Sequence, residues 1–560
     1  MFGKRIRHIK RYRDVAKVLA RHGFGFFIED IGLLHMLSLP KRLFTDTEES
    51  DFDPLTIGER IRQVVEELGP TYVKIGQIAS TRADIIPEEI LKELEKLQDN
   101  VPPFSFVQVT EIIEEELGAS LEEIFAWIDE KAIAAASIGQ VHCAQLRTGE
   151  LVAVKVQRPQ IKAMIETDLE ILLDLATLAE RRMERMERLQ LRDVVEEFAK
   201  SLRNELDYCI EARNAEKIAK QFKTDAKIHI PAIYWDYSTR TVLTMEFVDG
   251  LKLNQFEEVE RKGYNRKAIA EQLVHALFQQ MLIEGFFHAD PHPGNIFLLP
   301  DGVISFIDFG MVGRLTSDMK QNFASLVIAM MRKSTESMIK AVLRIGIVPD
   351  EVNLAFLTND VDELREKYMD VPMSRISLGE AISDLFVVAF RHQIRIPSDF
   401  TMVAKALLIL EGIVEKLDPQ LSIMDMAEPF GIRLLKDRYK PSTIAGKIWH
   451  DLTDYSDLLV DLPKQLKDLM RNLMRGRIRF EVSVPELDIF LRKLDRITNQ
   501  ISFSIVLLSF SIVMAGIIIA SALGHQPILL WNIPAIEVGF TMAALMLLWL
   551  FISIFKSGKF

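Results

Sequence analysis

Apolar residues change their spacing several times along the chain, and each change marks an element. Between residues 55 and 130 they recur every three or four positions, as at Ile61, Val64, Val65 and Leu68. That is the period of a helix with one buried face. Pro102-Pro103 punctuates the stretch. From Ala132 the period shortens. Gln140–Leu146 and Leu151–Gln157 read as strands, and Thr148-Gly149 between them reads as a hairpin turn. Residues 161–222 are charged and helical. Ile228–Ile233 and Thr241–Phe247 look like strands, and Asn254–Gly285 predicts one long helix. Ile296–Leu299 and Val303–Ile307 flank Asp301-Gly302, a strong signal for a tight turn. Helices are expected from Ser317 to about Asp495, with no internal repeat.

The end of the chain differs in kind. Ile501–Leu523 has no charged residue across 23 positions, and Val538–Phe555 has none across 18. About 20 apolar residues span a bilayer, so the two runs predict a transmembrane hairpin. Arg492, Lys493 and Arg496 precede the first run and Lys556 and Lys559 follow the second, while the loop Gly524–Glu537 has no Lys or Arg. The positive-inside rule then puts both chain ends in the cytoplasm and makes the protein a two-span protein of the cytoplasmic (inner) membrane. Lys464, Lys467, Arg471, Arg475, Arg477 and Arg479 are expected near anionic headgroups. Gly516 and Ala520, four apart, would let the spans pack closely.

Composition narrows the class. A chain of 560 residues predicts more than one folding unit. A net charge of −12 argues against nucleic acid as a partner. Two cysteines, Cys143 and Cys209, give neither a disulfide framework nor a metal spacing, and read as small buried residues in a reducing compartment. The N-terminus sets Lys4, Arg5, Arg7, Lys10, Arg11, Arg13, Lys17 and Arg21 against the single acid Asp14, with no apolar segment after it, so it is not a secretory signal. It reads either as a basic amphipathic helix on an anionic membrane surface or as a solvated helix face or basic leader.

The middle of the chain carries chemistry. Phosphoryl transfer requires phosphates held, magnesium placed and a nucleophile oriented. Val152-Ala153-Val154-Lys155 matches the strand whose lysine pairs with nucleotide phosphates in kinases. His288-x-Asp290-x-x-x-x-Asn295 has the Asp-to-Asn spacing of a kinase catalytic loop, in which the aspartate orients the acceptor and the asparagine takes a magnesium ion. Asp308-Phe309-Gly310 follows, 18 residues after Asp290 and past two short strands. A His288/Asp290/His292 metal site is the competing reading, and Pro291 and Pro293 weigh against it by stiffening the loop. Three kinase parts are missing. Ala134-Ala135-Ala136-Ser137-Ile138-Gly139-Gln140 stands where a Gly-rich loop is expected. No Ala-Pro-Glu follows Asp308, and Ala289 replaces the catalytic-loop arginine, which argues against an ordinary protein kinase.

At these residues the chain resembles the UbiB/ADCK (AarF-type) atypical kinases of coenzyme Q biosynthesis, of the membrane-anchored bacterial kind. The resemblance covers roughly residues 60–315. It rests on Lys74-Ile75-Gly76-Gln77 (the K-x-G-Q motif) within Gly69–Gln77, on Ser80–Asp84 through Leu97-Gln98-Asp99, on the alanine loop and on Glu205-Leu206-Asp207 (E-x-D). It implies that Lys155 binds nucleotide phosphates and pairs with Glu211, that Asn295 and Asp308 hold Mg2+, and that Asp290 is the catalytic aspartate. Ala134, Ala135, Ala136, Ser137, Ile138, Gly139, Gln140 and Val141 would cover ATP. Thr244–Val248 would be the hinge, with Glu246 and Val248 receiving adenine through their backbone. Lys74, Gly76 and Gln77 would fold over the site as a lid and meet Glu205 and Asp207 there.

The expected fold is therefore α+β: a two-lobed protein-kinase-like domain with a helical K-x-G-Q extension and a C-terminal transmembrane hairpin. The boundaries drawn are a basic lead-in (1–50), the extension (51–130), an N-lobe with a helical insertion (131–248), a C-lobe (249–430), a basic juxtamembrane region (431–500) and spans at 501–523 and 538–555. The function this implies is Mg-ATP hydrolysis or phosphoryl transfer supporting ubiquinone biosynthesis or lipid handling. Expected partners are membrane lipid, quinone precursors, other quinone-pathway enzymes and a second copy of the chain. A protein kinase acting in trans and an ATP-switched lipid-binding scaffold stay open as alternatives.

Overall fold

The computed structural model describes residues 2–30 and 56–438, with breaks at 81, 83–84, 98–100, 184–189, 350–351 and 369–375, and scattered positions between 505 and 541. Residues 1–448 and 449–560 form two separate compact units. The first unit carries all the motifs with candidate chemistry.

Five antiparallel strands build the N-lobe. β1 (Phe125–Ile128), β3 (Gly139–Leu146), β4 (Leu151–Gln157) and β6 (Val242–Glu246) lie in that order, and β2 (Ala134–Ala135) adds to β3. The hairpin turn read at Thr148-Gly149 joins β3 to β4, with Gly149 at φ 104. Alternation along β4 buries Val152, Val154 and Val156 on one face. Val109 and Ile113 of the helix Phe106–Leu117 cover that face. Lys155 therefore points the other way, toward the cleft. This helix and β1, expected in the helical extension, are built into the N-lobe.

The extension is a layer of helices: α1 (Phe2–Arg21), α2 (Gly25–Asp30), α3 (Ile57–Leu68), α4 (Pro70–Ala79) and α5 (Glu88–Leu94). Thr56 starts α3 with a capping box to Glu59, and Gly69 at φ 96 lets Pro70 begin α4 at once. After α6 (Phe106–Leu117) and the short α7 (Leu121–Ile124), the long insertion follows β4 as α8 (Ile161–Arg182) and α9 (Leu191–Glu205). The basic helix α1 is docked on this layer. Tyr12, Val15, Ala16 and Val18 are buried with Val64, Leu68, Ile171 and Leu175. Its Arg11 donates to the buried Asp168 at 2.7 and 3.0 Å and to the Leu68 carbonyl. The apolar face of α1 is consequently spent inside the protein, while Lys10, Arg13, Lys17 and Arg21 stay exposed, which is the solvated basic helix face of the second expectation.

α10 (Tyr208–Gln221) crosses to the C-lobe, where β5 (Ile228–His229), β10 (Ile304–Phe306), β9 (Ile296–Leu298) and β7 (Leu251–Lys252) form a sheet and β8 (Phe286–His288) pairs with β11 (Val312–Arg314). Two expectations need correction here. The strand read over Ile228–Ile233 ends at His229, because Pro231 has no N–H for a ladder, and Ile233 makes only an isolated bridge to Met245. The single helix read over Asn254–Gly285 is split into α11 (Phe256–Arg261) and α12 (Arg266–Phe278), followed by a π-helical turn, Gln279–Glu284. Gly263 at φ 72 stops the first, and Asn265 caps the second by accepting from Ala268 N at 3.1 Å.

Helices α13 (Ser317–Met331), α14 (Thr335–Ile345), α15 (Leu354–Lys367), α16 (Leu378–Arg391), α17 (Ser398–Leu417) and α18 (Ile423–Arg438) complete one continuous C-lobe core with α12. Cys143 and Cys209 are free and half-buried rather than fully buried. The juxtamembrane basic residues and nearly all of both apolar runs lie outside the described residues. Among the described residues no helix is long and apolar enough to cross a membrane.

Candidate active site

The cleft between the lobes has a volume of about 940 Å3 and is lined by Lys74, Gln77, Glu205, Asp290, Asn295, Asp308 and Lys405, among others. Five elements far apart in sequence deliver these side chains.

Next to Asp308, β4 and α10 supply a further pair. Lys155 Nζ donates to Glu211 Oε2 at 2.8 Å and Oε1 at 3.0 Å, across 56 residues that α8 and α9 fill. The ammonium also sits 5.1 Å from the centre of the Tyr208 ring. Burial draws the Lys155 pKa down, but Glu211 and Asp308 outweigh it, and the value stands above that of an ordinary lysine. Lys155 in turn holds Asp308 below the usual carboxylate range, against burial. Burial lifts Glu211 above that range in spite of Lys155, since two carboxylates share one ammonium.

The catalytic-loop motif is held from beneath by His288, which is fully buried. Its Nδ1 accepts from Asp290 N at 3.1 Å, so its Nε2–H donates to the Ile307 carbonyl at 3.1 Å. The ring lies 5.5 Å from Phe309 and 6.1 Å from Phe306. Burial keeps its pKa below the ordinary histidine value. Both ring nitrogens are thus engaged, and His288 has none left for a metal. His292 caps its own loop by accepting from Gly294 N at 3.2 Å. Gln280, on the π-helical turn, accepts from His288 N at 2.9 Å and fixes the start of the loop.

Asn295 Nδ2 reaches back to the Asp290 carbonyl at 3.4 Å, and Asn295 O accepts from Ile307 N at 2.9 Å. That ties the loop to the Asp308-Phe309-Gly310 turn. Asp308 has φ 60, a left-handed conformation that a non-glycine residue seldom takes, and its Oδ1 accepts from Gly310 N at 3.3 Å. Phe309 is buried, and its carbonyl accepts from Asn214 Nδ2 at 3.0 Å, one helical turn after Glu211. α10 therefore grips both Lys155 and the Asp308 turn. An amide oxygen and a carboxylate at Asn295 and Asp308 are hard donors of the kind magnesium takes.

The alanine loop is a pinned hairpin. Ala134 pairs with Val141 and Ala135 with Gln140, and Ala136 N donates to the Gly139 carbonyl at 2.8 Å. Ile138 at the tip is buried among Val73, Ile78 and Leu97 of the helical extension and Leu202 of the insertion. A Cβ on Gly139 would stand 2.4 Å from Tyr208 Oη and 2.5 Å from the Val156 carbonyl. The hydroxyls of Ser137 and Tyr208 are buried here without a partner, the kind of orphan a bound polar ligand satisfies. The Gln140 side chain turns away from the cleft and bonds both backbone groups of Phe104. Glu246 likewise spends its side chain on His229, at 3.1 Å, and on Ala232 N. Val248 follows in the link between β6 and β7.

The lid motif divides. Lys74 Nζ meets Glu205 Oε1 at 2.7 Å inside the cleft, and Gln77 donates to the Leu97 carbonyl at 3.3 Å. Gly76 is a packing residue: a Cβ there would stand 2.4 Å from Leu97 Cδ1 and 3.2 Å from Val65 Cγ1. Asp207 does not join them. It caps α10 by accepting from Cys209 N at 3.0 Å and faces Arg240 at 3.6 Å.

Sequence reasoning passed over Asn214, Gln280, Tyr208 and Lys405. Asn214 had a findable signal, an amide one turn after the pairing glutamate. Lys405 had another, as the single charged residue in Phe400–Leu410.

A two-lobed fold with this lysine–glutamate pair, catalytic loop and Asp-Phe-Gly turn defines a protein-kinase-like domain. Comparison with known proteins gives the family. The ABC1 atypical kinase-like domain matches residues 96–342, the UbiB helical domain 361–422 and the ABC1/UbiB kinase-like C-terminal domain 485–556. The chain is 36% identical over 416 residues to a "Probable protein kinase UbiB" of Azotobacter vinelandii, covering 74% of this chain and 78% of the other. It is 31% identical over 557 residues to one from Xanthomonas campestris pv. campestris (97% and 99% covered). It is 35% identical over 460 residues to the uncharacterised Synechocystis protein sll1770 (81% and 78%). The chain belongs to the ABC1/UbiB family of atypical kinase-like proteins.

Proposed function

We propose that this protein binds Mg-ATP in the cleft and hydrolyses it, or transfers its terminal phosphate to a small acceptor, in support of ubiquinone biosynthesis at a membrane. The observation that carries this reading is that Asp290, Asn295 and Asp308 line one cleft and that the Lys155–Glu211 pair faces the same Asp308. Lys155 would hold the nucleotide phosphates, with Ser137 and Gly139 of the alanine loop above them and Glu246 and Val248 along the hinge. Asn295 and Asp308 would hold Mg2+, which when bound neutralises charge developing on the phosphates. Asp290 would orient the attacking oxygen and accept its proton.

The Lys74–Glu205 pair argues against a protein kinase acting in trans. The helix and ion pair line the same cleft as Asp290 and leave less room there for a peptide than for a small acceptor or water. The two uncharged runs, matched together by the C-terminal domain of the family, support a membrane hairpin with the kinase-like body on the cytoplasmic side. At its described positions the first run leaves Ile505, Leu508, Ile512, Ile519 and Leu523 more than half exposed. Side chains of this kind suit a lipid surround, and apolar quinone precursors partition into the same phase.

The test uses full-length protein in nanodiscs containing anionic lipid. MgADP binding by calorimetry and slow ATP turnover are expected, and Asp308→Asn should abolish the magnesium dependence of both. Unchanged magnesium dependence in that variant would refute the site. Normal ubiquinone content in a deletion strain would refute the pathway while leaving the chemistry standing.

A further inference from the structure

We propose that Lys405 is a phosphate-binding residue of the nucleotide site, a cation that α17 inserts beside Asp290 to contact the terminal phosphate of ATP. The inference rests on the Mg-ATP reading above and extends it to a residue outside every motif that suggested it.

Charge accounting leads there. Transfer of a phosphoryl group concentrates negative charge on its oxygens, and enzymes meet it with lysine, arginine or metal. The loop His288–Asn295 contains no lysine or arginine, so a cation at its aspartate has to come from elsewhere in the fold. Among the described residues Lys74 and Lys96 also line the cleft, and Lys155 faces its Asp308. Lys155 is held by Glu211 at 2.8 Å and Lys74 by Glu205 at 2.7 Å, while Lys96 is paired with Glu93. Lys405 faces Asp290 itself, and at 3.5 Å the pair is the loosest of these. Its ammonium needs little displacement to take a phosphate oxygen placed between Asp290 and the Asn295/Asp308 pair, all of which line the same cleft.

The helix behind it is built for precision. In the 11 residues Phe400–Leu410 the only charged side chain is Lys405. Phe400, Val403, Ala404, Ala406, Leu407 and Leu410 around it are buried in the C-lobe core. Asp399 at its start accepts from Arg314 N at 3.0 Å, just after the Asp-Phe-Gly turn. That rigid base fixes where the side chain starts, and its ammonium lies 3.5 Å from Asp290 Oδ1. A surface helix would leave this position polar without need, whereas a core helix carrying one lysine toward a cleft of carboxylates places a charge by design.

The experiment compares wild type, Lys405→Met and Lys405→Arg as full-length protein in nanodiscs. MgADP and a non-hydrolysable MgATP analogue are titrated separately, and ATP turnover is measured beside them. For Lys405→Met the analogue should bind roughly tenfold or more weakly, as expected for loss of a charged hydrogen bond, with MgADP affinity within about twofold of wild type. Turnover should fall at least as far as analogue affinity. Lys405→Arg should recover most of the discrimination between the nucleotides. Equal weakening of both nucleotides, which is what a purely structural role or a folding defect produces, overturns the proposal, as does unchanged analogue affinity. If wild type binds neither nucleotide, the Mg-ATP reading fails first and takes this one with it.

Discussion

Replacing Glu211 by glutamine separates what the Lys155 pair does for folding from what it does for the ligand. Glutamine keeps the volume of glutamate and removes one charge. Glu211 is 7% and Lys155 22% exposed at the side chain, so the pair is largely withdrawn from water. Orphaning a buried charge costs about 3–5 kcal/mol, but Lys155 is not orphaned, because Asp308 also faces it. The stability loss should therefore stay below that range. The ligand cost is different. Without Glu211 the ammonium leans on Asp308, so the phosphates lose a positioned cation and the magnesium ion competes for its carboxylate. Loss of one charged hydrogen bond, about 1.5–3 kcal/mol, corresponds to roughly 10- to 150-fold weaker MgADP binding. Calorimetric titration of Glu211→Gln with ADP, with and without magnesium, reads both effects, and the magnesium-dependent part of the affinity should shrink. MgADP affinity within threefold of wild type, in a variant that melts cooperatively, would refute the assignment of this pair as the holder of Lys155.

Three further outcomes are expected. Arg11→Met leaves Asp168, 1% exposed, without its partner, and should lower unfolding free energy by about 3 kcal/mol in a denaturant titration, a loss no free leader would produce. Gly139→Ala drives a methyl group toward the Val156 carbonyl and Tyr208, so it should cost about 1–3 kcal/mol and weaken nucleotide binding, read by thermal melting with and without MgADP. His288 is buried with a depressed pKa, so the unfolded chain binds the proton more readily. Its contribution to stability is present above the unfolded value of about 6.5 and is lost as pH falls below it. Melting temperatures from pH 7.5 down to 5.5 should fall more steeply for wild type than for His288→Asn.

What could be read without coordinates is local. The period of two in Leu151–Gln157 puts Lys155 on the face opposite Val152, Val154 and Val156, whatever packs there. Asp301-Gly302 turns the chain between two strands, and the five-residue step from Asp290 to Asn295 keeps both on one loop. Short-range backbone preferences decide such features, and the sequence carries them in full. The expected strand at Ile228 and helix after Asn254 are longer than the observed ones because Pro231 and Gly263 act within one or two residues, below the resolution of a periodicity.

Other features depend on which distant surfaces meet. The basic run at the N-terminus is the same string whether it lies on a lipid surface or on α3 and α8, and only the fold brings Asp168 under Arg11. Glu205 and Asp207 are two residues apart, yet the end of α9 sends one to Lys74 and the start of α10 takes the other as its cap. Lys405 reaches Asp290 across 115 positions of chain through the docking of α17 on the C-lobe. The sequence by itself determined the chemistry of the site's parts, because each part is a short motif with its own backbone logic. The tertiary structure alone decided which charges face one another, because electrostatic partners are chosen by packing rather than by spacing along the chain.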